Sequence, residues 1–388
     1  MGSVLQPHLT APPSQSQGGP RIDLAIAGTR GVPARYSGFE TFAEELGSRL
    51  AERGHRVTVY GRVPYVGSQR RVYRGMHVVP VAGLRGKHLE TPVHTLTSAL
   101  VSLGSKHDVV LICNAANAFA LPLFSLRGAA TAINVDGVDR LRRKWGRLGK
   151  LWFWLGERLA LRWADLPLTD ATCLRDYYRE AHGVELPVIP YGGERGPLPG
   201  PSHPALERHG LEPGGYALVV GRLEPENNAL QVVKAYRRVA GRRPLVIVGD
   251  APYADEYKAR LREAACERVV FAGGVYGEGY LALQAHAACY VAAGEVGGTH
   301  PALVEAMTFG AAIVANDVIE HREVLGDSAL YYAGEIQLAE ALQRVLSDPE
   351  LALRLQARAR QRADELYRWE KVCDAYESLF QELAGKRR

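Results

Sequence analysis

The sequence predicts an α/β protein made of two Rossmann-like domains that face each other across an interdomain cleft. Three observations predict it. Short apolar runs alternate with amphipathic stretches along most of the chain, the mark of parallel strands joined by helical crossovers. That rhythm starts twice, at residue 22 and again at residue 216. Between the two starts lies a Pro- and Gly-rich segment, GGERGPLPGPSHPALERHGLEPG (192–214). A length of 388 residues also exceeds what one hydrophobic core ordinarily serves.

In the first half, IDLAIA (22–27) reads as a buried strand and runs into the glycine-bearing loop GTRGVPARYSGFE (28–40). An amphipathic helix follows, TFAEELGSRLAERGH, with Phe42, Leu46 and Leu50 on one face and Gly54 at its C-cap. VTVYG (57–61), VVPV (78–81), DVVLIC (108–113) and TAINVD (131–136) continue as strands. The second half repeats the pattern with YALVVGRL (216–223), LVIVGD (245–250), VVFAGGV (269–275), CYVAAG (289–294) and AAIVAND (311–317). One long charged, amphipathic helix is expected from about Pro349 to Ala384. The resulting division is a disordered leader at 1–20, an N-terminal domain at 21–191, a C-terminal domain at 192–365, and a terminal helix with basic tail at 366–388. That last helix has the option of packing back on the first domain.

Composition narrows the class. Apolar residues make up 47% and charged residues 23%, ordinary for a globular protein. A net charge of +5 is a mild excess that suits phosphate-bearing ligands or an anionic membrane face, not nucleic acid. The five cysteines are scattered without metal-ligand spacing, which reads as thiols in a reducing compartment and no bound metal. The first twenty residues lack the apolar core of a signal peptide. No run approaches the roughly 20 apolar residues of a membrane span. A cytoplasmic protein is expected, with the option of peripheral attachment to the inner face of the membrane.

Two stretches carry candidate chemistry. The loop 28–40 offers glycines followed by a helix start, a setting in which backbone N–H groups can meet an anion. Its spacing does not fit a dinucleotide fingerprint, so an ordinary strand–helix turn stands beside the ligand-loop reading. The stronger stretch is GEVGGTHPALVEAMTFGAAIVAND (294–317). Pro301 suits the first turn of a helix. The backbone of Gly297, Gly298, Thr299 and His300 can then surround a diphosphate or sugar hydroxyls, and Glu305 lies one turn in, placed for a ribose diol.

Together with GRLEPENN (221–228), IPYGGE (189–194) and RWEKVCDAYESLF (368–380), this stretch resembles the family-4 retaining glycosyltransferases of the GT-B fold. The similarity spans residue 22 to about residue 380. The opening AGTRGVPARYSGFETFAEEL is similar to a bacterial rhamnosyltransferase-type subgroup that builds surface polysaccharide. The resemblance implies transfer of a hexosyl group, L-rhamnose from dTDP-L-rhamnose in that subgroup, from a dTDP- or UDP-sugar. The acceptor would be a glycan, a lipid-linked sugar or a natural product. It implies Arg222 as the diphosphate clamp, Glu305 on the nucleotide ribose, and Gly38 approaching the diphosphate from the first domain. Asp136 stands where many relatives carry a histidine near the donor sugar, and Val275 and Tyr276 where relatives contact the base. Arg222, Asp136 and Glu305 form the expected catalytic set.

Two positions depart from the pattern. The first glutamate of the family's pair is Gly297, and the lysine of its EKN-type motif is Asn227; both departures also resemble the rhamnosyltransferase subgroup. No DxD triplet is present, so metal-independent stabilisation of the leaving diphosphate by Arg222, helix dipoles and backbone N–H groups is expected. Retention at the anomeric carbon follows from the resemblance alone.

Residues 139–163, DRLRRKWGRLGKLWFWLGERLALRW, combine five basic residues between Arg140 and Arg147 with four tryptophans. Two readings stand: a face for an anionic bilayer, or a solvated cationic helix whose Trp and Leu residues pack into the first domain's core. The function classes that compete with transfer are a catalytically silent nucleotide-binding or partner protein of the same fold and a nucleotide-sugar epimerase. A nicotinamide-dependent dehydrogenase is disfavoured by the poor dinucleotide fingerprint.

Overall fold

The computed structural model describes residues 20–35, 38–83, 90–193, 198–251 and 254–387. The chain forms two compact units. One holds the N-terminal part to Leu141, then Trp145–Tyr191 and the chain from Trp369; the other holds Gly192–Arg368 with the short segment Arg142–Lys144.

The N-terminal unit runs β1 (Asp23–Ala27), α1 (Gly38–Glu52), β2 (Arg56–Arg62), α2 (Val63–Val66), β3 (Arg71–Tyr73), β4 (Met76–Val81), α3 (Glu90–Ser102) and β5 (Val109–Cys113). It continues with α4 (Leu121–Ser125), β6 (Ala130–Asn134), α5 (Arg147–Trp163), β7 (Leu166–Leu168) and α6 (Thr172–His182). The sheet order is β3-β4-β2-β1-β5-β6-β7, with only β3 antiparallel to its neighbour. Strands covered on both faces read as unbroken apolar runs, which is why VVLIC and the DLAIA strand stand out in the sequence. β3 and β7 escape that signal. β3 is a short, largely exposed hairpin strand, and β7 is a three-residue edge strand carrying Pro167, a residue tolerated at an edge.

The second unit contains α7 (Pro204–Glu207), β8 (Ala217–Val220), α8 (Ala229–Tyr236), β9 (Leu245–Val248), α9 (Asp255–Ala264), β10 (Val269–Gly273) and α10 (Glu278–Ala285). Then come β11 (Cys289–Ala292), α11 (Pro301–Phe309), β12 (Ala312–Asn316), α12 (Ile319–Leu325), β13 (Ala329–Tyr332), α13 (Glu335–Ser347) and α14 (Pro349–Leu366). Its six strands are all parallel in the order β10-β9-β8-β11-β12-β13. That is a doubly wound sheet whose strand order reverses between β8 and β11.

The single helix expected over 349–384 is two helices. α14 stops at Leu366, and α15 (Trp369–Gly385) starts after a two-residue break. At the break the Tyr367 carbonyl accepts from the Gly193 N–H at 2.6 Å, and Arg368 forms a β-bridge with Gly193. Backbone paired this way cannot continue a helical ladder. α15 then joins the N-terminal core: Trp369, Val372, Tyr376 and Phe380 pack with Phe42, Leu46 and Leu50 of α1 over β1 and β2. Each such side chain contributes roughly 1.5–3 kcal/mol on burial.

Candidate active site

Open α/β sheets bind ligands at the carboxyl ends of their strands where the strand order reverses. In the second unit that point is flanked by the loop after β8 and the loop after β11. The two loops are stitched together. Glu295 N–H donates to the Glu226 carbonyl at 3.0 Å, and Asn228 Nδ2 donates to the Ala293 carbonyl at 3.0 Å and to Glu295 Oε1 at 2.9 Å. Asn227 turns its amide inward to the Arg222 carbonyl at 2.7 Å, so it shapes the loop. Glu295 is engaged in this stitching.

In the loop after β11, Gly297, Gly298 and Thr299 are buried and His300 precedes the first turn of α11. The His300 ring lies against Gly297: a Cβ there would sit 2.5 Å from His300 Nε2. No larger side chain fits without moving the imidazole, which accounts for glycine where the resemblance implies glutamate. On its other side His300 meets the His321 ring, with centroids 5.7 Å apart. Burial, then the neighbouring His321, Arg142 and Arg222, push His300 down to about 3, so its ring is neutral.

Arg142–Lys144 brings further charge into this unit. Arg143 pairs with Glu295 at 2.7 Å. Lys144 Nζ sits 2.8 Å from Glu224 Oε2, and Arg222 reaches the same oxygen at 3.7 Å. Two cations thus share one carboxylate oxygen, the arrangement a phosphate oxygen would also accept. Burial opposes ionisation of Glu224, yet Arg222 and Lys144 hold its carboxyl below the ordinary value. Burial and the Arg222 charge lower Lys144. Glu226, fully buried, lies 4.0 Å from Lys144.

Glu305 sits one turn into α11 and accepts the Tyr280 hydroxyl from α10. Gln284 in turn donates to the Tyr280 oxygen at 2.9 Å and to the Ala302 carbonyl at 3.1 Å. Burial and the Glu305 charge push the Tyr280 hydroxyl well above its ordinary value, so it remains a donor. Val275 and Tyr276 lie on the loop between β10 and α10, with Tyr276 exposed. Arg222, Asn227 and Gly297–His300 therefore gather at the reversal point, Glu305 stands just behind, and Val275 and Tyr276 occupy the next loop.

Gly38 and Asp136 belong to the N-terminal unit. Gly38 is the first residue of α1. The glycine loop before it is braced: Glu40 accepts the Arg30 N–H at 2.8 Å and Glu44 accepts the Ala34 N–H at 2.6 Å. Gly31, at φ 103°, packs so that a Cβ would lie 2.7 Å from the Gly61 Cα. Tyr36 of this loop and Glu194 of IPYGGE lie outside the described residues. Asp136 follows β6 and accepts the Tyr191 hydroxyl at 2.9 Å. The Tyr191 ring also packs against Phe39 and Phe42, with centroids at 6.5 and 5.2 Å, tying Asp136 to the start of α1.

Tyr280, Tyr191, Lys144 and His321 were not singled out from sequence. Lys144 lies inside a basic stretch that reads as membrane-facing or solvated, and its partner Glu224 is 80 residues away. Among the described residues, no group of three or more His, Cys, Asp or Glu side chains is placed to hold a metal ion.

Comparison with known proteins agrees with this architecture. Residues 37–192 match the family model Glycosyl transferase 4-like domain, and residues 207–362 match Glycosyl transferases group 1. The fold is similar to that of sucrose-phosphate synthase from Thermosynechococcus elongatus, with a TM-score of 0.80 at 18% identity over 94% of this chain and 100% of that one. It is also similar to Anabaena HepE in complex with UDP-glucose, with a TM-score of 0.71 at 14% identity over 92% of this chain and 98% of that one. The O-antigen chain mannosyltransferase B of Escherichia coli is 29% identical over 133 residues, 33% of this chain. The match spans only 35% of that relative's length. The two parallel-sheet units are those of the GT-B fold.

Proposed function

We propose that this chain is a glycosyltransferase of the GT-B type, moving a hexosyl group from a nucleotide-diphosphate sugar to a glycan, lipid-linked or small-molecule acceptor. The observation that carries the reading lies within the segment that matches Glycosyl transferases group 1. There two stitched loops put Arg222, Gly297–His300 and the N-terminus of α11 at the strand-order reversal. A helix N-terminus beside cations is suited to a diphosphate.

In this reading Arg222 clamps the diphosphate and Lys144 supplies the second cation. The first-turn N–H groups of α11 meet charge that grows on the leaving phosphate. Glu305, oriented by Tyr280, accepts from the ribose diol; Val275 and Tyr276 border the base. Asp136 and Gly38 are the donor-contacting residues we propose in the N-terminal unit. Transfer proceeds with retention and without a protein-held metal, so activity should survive EDTA. Cys113, Cys289 and Cys373 are buried thiols, which fits the reducing, cytoplasmic setting proposed here.

dTDP-L-rhamnose is the proposed donor, and the partial likeness to a mannosyltransferase makes a nucleotide-activated mannose its competitor. Thermal stabilisation across dTDP-, UDP- and GDP-sugars, followed by transfer or donor hydrolysis with the best of them, tests the proposal. Turnover that disappears in Arg222→Ala and Glu305→Gln is the expected result. Nucleotide binding without turnover under any donor would favour a silent binding protein. Acceptor-independent change of the sugar would favour an epimerase.

A further inference from the structure

The sequence left the tryptophan- and leucine-rich stretch open between core packing and a bilayer face, and α5 separates the two. Its buried residues are Phe153, Gly156, Glu157 and Ala160, a stripe at i, i+3, i+4 and i+7. This stripe is seated tightly, for a Cβ on Gly156 would lie 2.5 Å from the Ala115 carbonyl oxygen. A second apolar stripe at the same spacing faces outward: Leu148 is 84% exposed, Leu151 57%, Trp152 39% and Leu155 42%. Within this stripe Trp152 also rests against the Phe119 ring, with centroids 5.4 Å apart, so core packing leaves Leu148, Leu151 and Leu155 unexplained.

The exposed charge of α5 itself has one sign. Arg147, Lys150, Arg158 and Arg162 are all exposed, and Arg147, Lys150, Trp154 and Arg158 share one flank by their spacing. The Arg158 guanidinium lies 3.6 Å over the Trp154 ring. The helix has one carboxylate, Glu157, which is buried and engaged by the Tyr177 hydroxyl at 2.9 Å and by Arg140 at 3.5 Å. The exposed surface of α5 thus carries four positive charges and no negative one. No described helix is long and apolar enough to cross a membrane.

We propose that α5 lies in the headgroup region of an anionic bilayer, with Leu148, Leu151 and Leu155 inserted, the partly covered Trp152 at their edge, and the flanking cations on lipid phosphates. A convex stripe of leucines and tryptophan needs no matching groove in a fluid interface, and the cations gain from its negative potential. A second copy of the chain would bring like charges together on this face. The proposal goes beyond the transferase reading and is independent of it, since it is tested without donor or acceptor.

The test is sedimentation of the full chain with vesicles of phosphatidylcholine alone or mixed with phosphatidylglycerol. Binding should rise by about tenfold or more with phosphatidylglycerol, weaken with salt, and blue-shift tryptophan emission. Leu148→Glu/Leu151→Glu and, separately, Lys150→Glu/Arg158→Glu should abolish it with Tm and nucleotide binding unchanged, because these side chains are exposed. Absence of binding, or binding that both double variants retain, overturns the proposal. So does a self-association that the leucine pair removes in vesicle-free solution, which would assign the stripe to a second copy.

Discussion

Tyr191 donates its hydroxyl to Asp136 Oδ2 at 2.9 Å while its ring packs against Phe42 of α1. The aspartate is thereby fixed relative to the helix that begins at Gly38. Asp136→Asn keeps the acceptor for Tyr191 but removes the charge. It should cut kcat by about a hundredfold, with Tm nearly unchanged. Tyr191→Phe should cost about 1 kcal/mol, a Tm loss of a few degrees, with a milder kinetic effect. A fully active Asp136→Asn would remove Asp136 from the chemistry.

Gly297 and His300 should behave as a coupled pair. Gly297→Ala forces the imidazole aside and should cost about 1–3 kcal/mol, with weaker donor binding. His300→Ala in the same chain should recover most of the stability, because the ring is what the new methyl meets. Strictly additive losses in a double-mutant cycle would show that the two do not share this space.

The cation pair on Glu224 separates by ligand. Lys144→Ala should lower affinity for a nucleoside diphosphate by about tenfold while leaving the bare nucleoside unaffected, and Arg222→Ala should cost more. Calorimetry with UDP or dTDP against uridine or thymidine makes the comparison. Equal effects on both ligands, or a loss of Tm without any change in affinity, would make Lys144 a mere counterion for Glu224 and Glu226.

Stability should fall on the acid side through buried histidines. Burial, then the Arg62 charge, lowers His94 to about 3; burial lowers His321 to about 4. Both are neutral when folded, whereas the unfolded chain takes up their protons below the ordinary value of 6.5. Their contribution is therefore intact above 6.5 and is lost progressively as pH falls toward 3 or 4, by up to about 1.4 kcal/mol per pH unit for each group. Chemical denaturation at a series of pH values should show this slope, reduced in His94→Gln. An unchanged slope in that variant would mean that His94 protonates freely in the folded chain.

Most strands were legible because a buried parallel strand must be a contiguous apolar run, as in Val109–Cys113 and Ala312–Asn316. β3 and β7 were not, being three residues long, nor was β13, in which only Ala329 and Tyr332 are buried and no unbroken apolar signal results. The division of the C-terminal helix was hidden too, since what ends α14 is backbone pairing with Gly193, far away in the chain. Of the candidate site, the positions of Arg222, Gly297–His300 and Glu305 were readable from motif and helix start.

By itself the sequence determined two α/β units, the loops that follow their strands, and the residues that share a helix face. These are local properties, set by periodicity and turn chemistry within a few residues. Tertiary structure alone decided which polar groups meet: Lys144 with Glu224, Tyr280 with Glu305, and Tyr191 with Asp136. It also decided which of two apolar stripes on α5 is covered, because Gly156 is the residue that admits the Ala115 carbonyl. Periodicity marks a face as apolar, but only a neighbouring element can bury it.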